Sequence, residues 1–210
     1  MSDVATPTYY YPNKMGRIVL QALEEVVGRN GLIAVLNLAN LLHFIGHYPE
    51  NNLERGFSFD DLSRMMTALE QLYGPRGGRG LALRTGRVCF KYGIREFGPM
   101  VSVAELSYRL LPLDLKLRQG AEIFRDIFNQ YSDQQVVVEE TPQAFYWRIE
   151  RCPVCWKRRA SQPVCQLAVG VLQEALYWVS NGKYFTVEET TCIAKGDPSC
   201  TLVIYKQPLD

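Results

Sequence analysis

A chain of 210 residues, 47% of them apolar and 21% charged, is long enough for one domain with a sizeable core and has the composition of an ordinary folded protein. Its formal charge of +1 supplies no field for nucleic acid or an anionic membrane surface. The longest apolar stretch, 32–46, is too short to span a bilayer and carries Asn37, Asn40 and His43. With no basic-then-apolar leader over the first 13 residues, the chain reads as cytoplasmic, without a nucleic-acid partner or a membrane span.

Residues 1–12, polar and aromatic with two prolines, read as an extended arm. From Asn13 the apolar residues Ile18, Val19, Ala22, Leu23, Val26 and Val27 fall at helical spacing, and Gly28 stops them. A second, more buried helix is expected over 31–44. A third begins at Ser58, with Asp61 three residues on as a short-armed capping box and Leu62, Met65, Met66, Leu69 and Leu72 as its apolar stripe. The glycine-rich run 74–80 reads as a flexible turn, followed by helices over 81–97, 103–111 and 114–131. The last of these carries Leu117, Ala121, Phe124 and Phe128 on one face.

The texture then changes. Residues 135–139 are β-branched, and 144–149 alternates Phe145, Trp147 and Ile149 against Tyr146, Arg148 and Glu150, the pattern of a half-buried strand. A cysteine-bearing loop covers 151–163 and a helix 164–181. A final hairpin runs over 183–194 and 201–205, turning at Gly196-Asp197-Pro198. The expected fold is therefore α+β. An antiparallel four-stranded sheet in a β-β-α-β-β unit packs on N-terminal helices, and the parts divide as 1–12 arm, 13–131 mainly helical and 132–210 α/β. All belong to one domain.

Five of the six cysteines fall in the last part. Disulfides are disfavoured in the cytosol, so clustered cysteines there point to metal or redox work. Cys152-Pro153-Val154-Cys155 has the spacing of a zinc knuckle, although Trp156 stands where rubredoxin-like knuckles favour glycine. Cys165 opens a helix, where the positive end of the dipole favours thiolate. Cys192 and Cys200 flank the hairpin turn, while Glu189, three residues before Cys192, is less simply placed on the same face, where a local bulge could turn it inward. Zinc takes four such ligands. Reduced core cysteines, a redox pair at 152 and 155, or an iron–sulfur cluster on four of the thiolates are the other readings. For a thiolate-rich zinc site, Arg148, Arg151, Lys157, Arg158 and Arg159 could offset the negative charge.

The run Cys165…Gly170…Gly182…Val187-Glu188-Glu189-x2-Cys192-x3-Gly196-Asp197-x2-Cys200 resembles the vinyl-4-reductase (4VR) domain family over about 130–206. That family is similar in fold to the ligand-sensing domains of aromatic-responsive bacterial activators and to subunits of the transport-particle (TRAPP) tethering complex. The resemblance implies a homodimer formed through the N-terminal helices and zinc on Cys165, Glu189, Cys192 and Cys200. Cys152 and Cys155, which depart from the sensor pattern, are alternates for the fourth ligand. It also implies a hydrophobic ligand pocket on the strand bearing Phe145 and Trp147, with Tyr177 and Trp178 on the next helix.

Other features carry less. His43 and His47 share a helix face at i, i+4, but Phe44 replaces the glutamate of a metalloprotease motif and no third ligand is evident. Arg76, Arg79, Arg84 and Arg87 surround a glycine-rich turn without a phosphate-loop ending. No nucleophile elbow or dinucleotide fingerprint is present. The sequence therefore reads as a non-catalytic, ligand-binding or sensory domain acting with a signalling partner. A reductase or tetrapyrrole carrier of bacteriochlorophyll synthesis and a scaffold or tethering subunit are the alternatives.

Overall fold

The computed structural model describes residues 8–98 and 110–209. Strand β1 (Tyr10–Pro12) leads into helix α1 (Asn13–Leu38), a short 3-10 turn (Leu42–Phe44) and strand β2 (Arg55–Ser58). Helix α2 (Phe59–Phe97) and helix α3 (Leu113–Tyr131) follow, then strands β3 (Val136–Glu140) and β4 (Ala144–Ile149). Helix α4 (Gln166–Val179), strand β5 (Phe185–Thr191), a 3-10 turn (Ile193–Lys195) and strand β6 (Cys200–Pro208) complete the chain. The expected helix over 103–111 lies almost wholly outside the described residues.

The main sheet is antiparallel with strand order β3-β4-β6-β5, and β1 and β2 form a separate two-stranded sheet. The latter shows that the end of the expected arm is not free: Tyr11 pairs with Phe57 across 45 intervening residues, and the Phe59 N–H donates to Tyr9 O at 2.9 Å. Helices α1 and α2 each contain a break where a glycine takes up positive φ, Gly28 at 74° and Gly74 at 73°, backbone that L side chains rarely adopt. The expected turn over 74–80 is only that single break. Pro75 follows it at the first position of the next helical segment, where its missing N–H costs nothing, and the helix runs on to Phe97. The helix expected over 31–44 ends at Leu38.

Ser58 caps α2 as its sequence suggests, its hydroxyl accepting from the Asp61 N–H at 3.0 Å. Leu62, Met65, Met66 and Leu69 are buried, but Leu72 falls off the stripe and is 43% exposed. Helix α4 lies across α2 at backbone contact. A Cβ on Gly86 would stand 2.0 Å from Leu167 O, and one on Gly170 would stand 2.0 Å from Leu83 O. Bare glycines at both faces of this crossing let α4 sit low on the helical layer, and the sheet covers its other side.

Candidate metal centre and adjoining cavity

Strand β4 ends at Ile149 and the chain turns through Cys152-Pro153-Val154-Cys155 into a loop that is stitched to its surroundings. Ser63 of α2 donates its hydroxyl to Trp156 O at 2.6 Å. The Trp156 ring stands edge-on to Tyr9 at 5.1 Å, and Ala160 N–H donates to Ala194 O at 2.9 Å. Arg158 pairs with Glu70 at 2.9 Å, and Arg79 donates to Pro163 O at 2.9 Å. This places Cys152 and Cys155 against Cys165 at the start of α4 and against Cys192 and Cys200 at the hairpin.

All five sulfurs are buried and none is in a disulfide. Cys152 and Cys165 are 3.5 Å apart, Cys155 and Cys200 3.4 Å, Cys165 and Cys200 3.7 Å. Cys165 and Cys192 are 3.8 Å apart, and Cys192 and Cys200 3.9 Å. Glu189 follows buried Val187 at strand alternation and pairs with buried Leu202, so it faces inward, and the shift in the β5–β6 ladder between Glu189 and Thr191 re-phases the chain that leads to Cys192. Its Oε2 accepts the Cys165 N–H at 2.7 Å, while its Oε1 is buried with no hydrogen-bond partner among the described residues. Burial holds the Glu189 carboxyl above the ordinary range. The Cys192 N–H is taken by Asp197 Oδ2 at 2.8 Å, and Ile193 N–H donates to the Cys200 sulfur at 3.3 Å.

Packed together without a cation, these thiols cannot all ionise. The Cys152 thiol and its neighbours hydrogen-bond to Cys155 and push that thiol down, while their shared hydrogen bonds push Cys152, Cys165 and Cys200 up. A bound cation inverts that order, because a coordinating thiol is deprotonated outright. Two four-donor groups could hold a metal ion: Cys152, Cys155, Cys165 and Cys200, and Cys165, Glu189, Cys192 and Cys200. The basic residues expected to balance the cluster are largely engaged elsewhere. Arg148 pairs with Glu139, Lys157 with Asp60 and Arg158 with Glu70, and Arg151 lies over the Tyr9 ring.

Beside the cluster lies a partly open cavity of about 180 Å³, lined by α1, α2, α3, α4 and the face of β4. Phe145, Trp147 and Trp178 line it, as do Phe124 and Phe128 of α3. Tyr177 does not: a residue next to a cavity-facing one on a helix is turned about 100° away, and the Tyr177 ring meets Tyr184 at 5.0 Å and lines a neighbouring recess with Phe90, Ile94 and Trp178. The lining is almost wholly apolar. Its polar side chains include Tyr11, whose hydroxyl donates to Gln134 Oε1, and Cys89, whose thiol burial pushes up to about 12. Pro153 and Val154, between the two knuckle cysteines, also line the cavity. The contributions of Tyr11 and Gln134 had no sequence signal, being 123 residues apart. Phe90 and Phe97 of α2, also in the wall, sit seven residues apart on one helix face and were findable by spacing.

The histidines do not form a site. His43 lies in the 3-10 turn against the Phe44 ring, His47 lies beyond it with Nδ1 3.1 Å from Ile45 O, and both are exposed, so they share no helix face. Nor does the arginine stretch gather an anion site. Arg79 reaches Gln162 and Pro163, and Arg87 reaches Gln173.

The class follows from the architecture. The chain has an α+β fold shared with H-NOX proteins. An H-NOX protein from S. oneidensis in the Fe(II)NO state is 15% identical, with a TM-score of 0.53 over 92% of this chain and 99% of that one. The unliganded Fe(II) H-NOX protein from K. algicida is 14% identical, with a TM-score of 0.53 over 95% and 98%. At such identities the likeness is one of fold. No curated protein matches the sequence. The V4R domain model matches residues 145–206, the part carrying β4, the cysteine loop, α4 and the final hairpin, and the sequence likeness is confined to that part.

Proposed function

We propose that this chain is a non-catalytic binding or sensory domain for a small hydrophobic or aromatic molecule. The ligand would lie between the helices and the sheet, and zinc on the cysteine cluster would fix one wall. Cys165, Cys192, Cys200 and Glu189 would supply one ligand set, with Cys152 and Cys155 as alternates. The observation that carries the reading is the apolar cavity lined by Phe145 and Trp147, with Pro153 and Val154 of the knuckle in its wall. At about 180 Å³ it matches in scale the dry engineered cavity of about 150 Å³ that takes up benzene.

The same magnitude weighs against a tetrapyrrole carrier, whose macrocycle is several times larger than benzene. The H-NOX neighbours are described with iron and heme, yet the cavity lining here contains no histidine, so the residues present do not fit a histidine-ligated heme. Sulfur separations of 3.4–3.9 Å suit direct ligation of one ion. They are too close for thiolates spread around an inorganic sulfide core, which weighs against the iron–sulfur alternative. A tethering subunit needs no cavity. A homodimer through the N-terminal helices and a signalling partner remain part of the proposal from the resemblance.

The test is a thermal-shift titration of the full chain with ethylbenzene. At a hundredfold excess over Kd the expected stabilisation is about 2.7 kcal/mol, or roughly 5–10 °C in Tm. No shift, or an equal shift in a variant whose cavity has been filled, would sink the binding reading. A visible absorption band in the purified protein would instead favour the pigment carrier.

A further inference from the structure

The cluster holds more donors than one ion uses. Tetrahedral zinc takes four ligands, and sulfur at about 2.3 Å from the ion sets the edge of the tetrahedron near 3.8 Å. Five thiols and one carboxylate converge here, and they divide into two four-membered sets that share Cys165 and Cys200. The shared edge is 3.7 Å. Edges belonging to the first set alone measure 3.5 and 3.4 Å, and those belonging to the second alone 3.8 and 3.9 Å. Both sets therefore have sulfur separations near the tetrahedral edge.

A single ion leaves one side of the cluster without work. Seated in the first set, it strands Cys192 and leaves Glu189 Oε1 buried with no partner, which is unfavourable for a buried polar atom and more so for a charged one. Seated in the second, it strands Cys152 and Cys155, both 1% exposed, in a turn whose spacing suits a knuckle. Two ions employ every donor. The second ion brings two positive charges and two further thiolates, so the formal charge stays about −2, as for one ion in the second set alone. Six donors serving two ions through two bridging thiolates is also the arithmetic of two-zinc, six-thiolate modules.

We infer that the cluster is binuclear. One zinc is held by Cys152, Cys155, Cys165 and Cys200, the other by Cys165, Glu189, Cys192 and Cys200, and Cys165 and Cys200 bridge them. This rests on the metal reading above and deepens it.

Native mass spectrometry of the full chain, reduced and supplied with zinc, should give two zinc ions per chain. Cys192→Ala removes a donor from the second set only and Cys152→Ala from the first only, so each variant should retain one. Should the variants fail to fold, the wild-type count still decides. Cobalt(II) titration of the chelated protein checks it independently, since thiolate-to-cobalt absorption should saturate at two equivalents. One ion in the wild type overturns the binuclear assignment and leaves the single-ion clip standing. No ion overturns both. Two ions kept in both variants would put the second ion elsewhere and overturn the assignment as well.

Discussion

Two halves of the core are built from similar residues and differ in how they are filled. Around α1 and the first part of α2, Leu20, Leu23, Phe57, Phe59, Met65 and Leu69 are fully buried and packed on one another. Around α3 and β4, Phe124, Phe128 and Trp147 are also buried or half-buried, with ring centroids 5.0–6.3 Å apart, yet they surround a void. Aromatic content does not distinguish a core from a binding site. What distinguishes them is whether side-chain volume matches the space the elements leave, and a protein interior normally leaves little.

The contrast can be broken most violently at the cluster that closes the hollow half. Cys200 belongs to both ligand sets, so Cys200→Ala should lower unfolding stability by more than about 4 kcal/mol, measured by urea denaturation, and chelator should then add little. If Cys200→Ala is as stable as the wild type, the metal clip is wrong. In the dense half, Leu69→Ala should cost about 2–5 kcal/mol, because nothing nearby can collapse into the space. Gly86→Ala forces a Cβ toward Leu167 O and should cost about 1–3 kcal/mol by pushing α4 off α2, read as a drop in Tm.

The hollow half should answer the other way. Ala121→Leu adds volume to the cavity wall and should leave stability unchanged or raise it by about 0.5–2 kcal/mol while abolishing the ethylbenzene shift. A loss as large as that of Leu69→Ala would show that the void is not real. The smallest effect concerns the outer tie of α3 to the sheet. Arg118 and Lys206 hydrogen-bond to Glu140 and hold its carboxyl down at about 2. A depressed carboxyl stabilises the fold above its unfolded value and loses that contribution as pH falls from about 4.5 through 2. Glu140→Gln should flatten this part of the acid-unfolding curve, and added salt should do the same to the wild type.

Much of this was legible in the chain. The Ser58 cap, the bounds of β4 and the cavity-facing side of α3 follow from local spacing and capping chemistry, which act over a few residues, whereas the place of Glu189 beside the cysteines was suggested by the family resemblance and not by its spacing from Cys192. The pairing of β1 with β2 was not, because three- and four-residue strands carry too few positions for a period and their partners are far apart in sequence. Leu72 reads as core by periodicity, but the α2 break at Gly74 lies two residues on, past the end of that helix's packed face. The histidines read as one helix face because the end of α1 at Leu38 leaves no strong breaker. Tyr177 and Trp178 are adjacent, and composition alone does not say which faces inward. The void itself has no sequence signature, being a difference between volumes fixed by every surrounding element.

One four-residue turn belongs to two sites at once. Cys152 and Cys155 point to the cluster while Pro153 and Val154 face the cavity. Any occupant that shifts this turn alters the free energy of the other site, and thermodynamic reciprocity makes the influence equal in both directions. A molecule that tightens metal retention must itself be held more tightly by the metal-loaded chain, so zinc release rates would report on cavity occupancy without any label on the ligand.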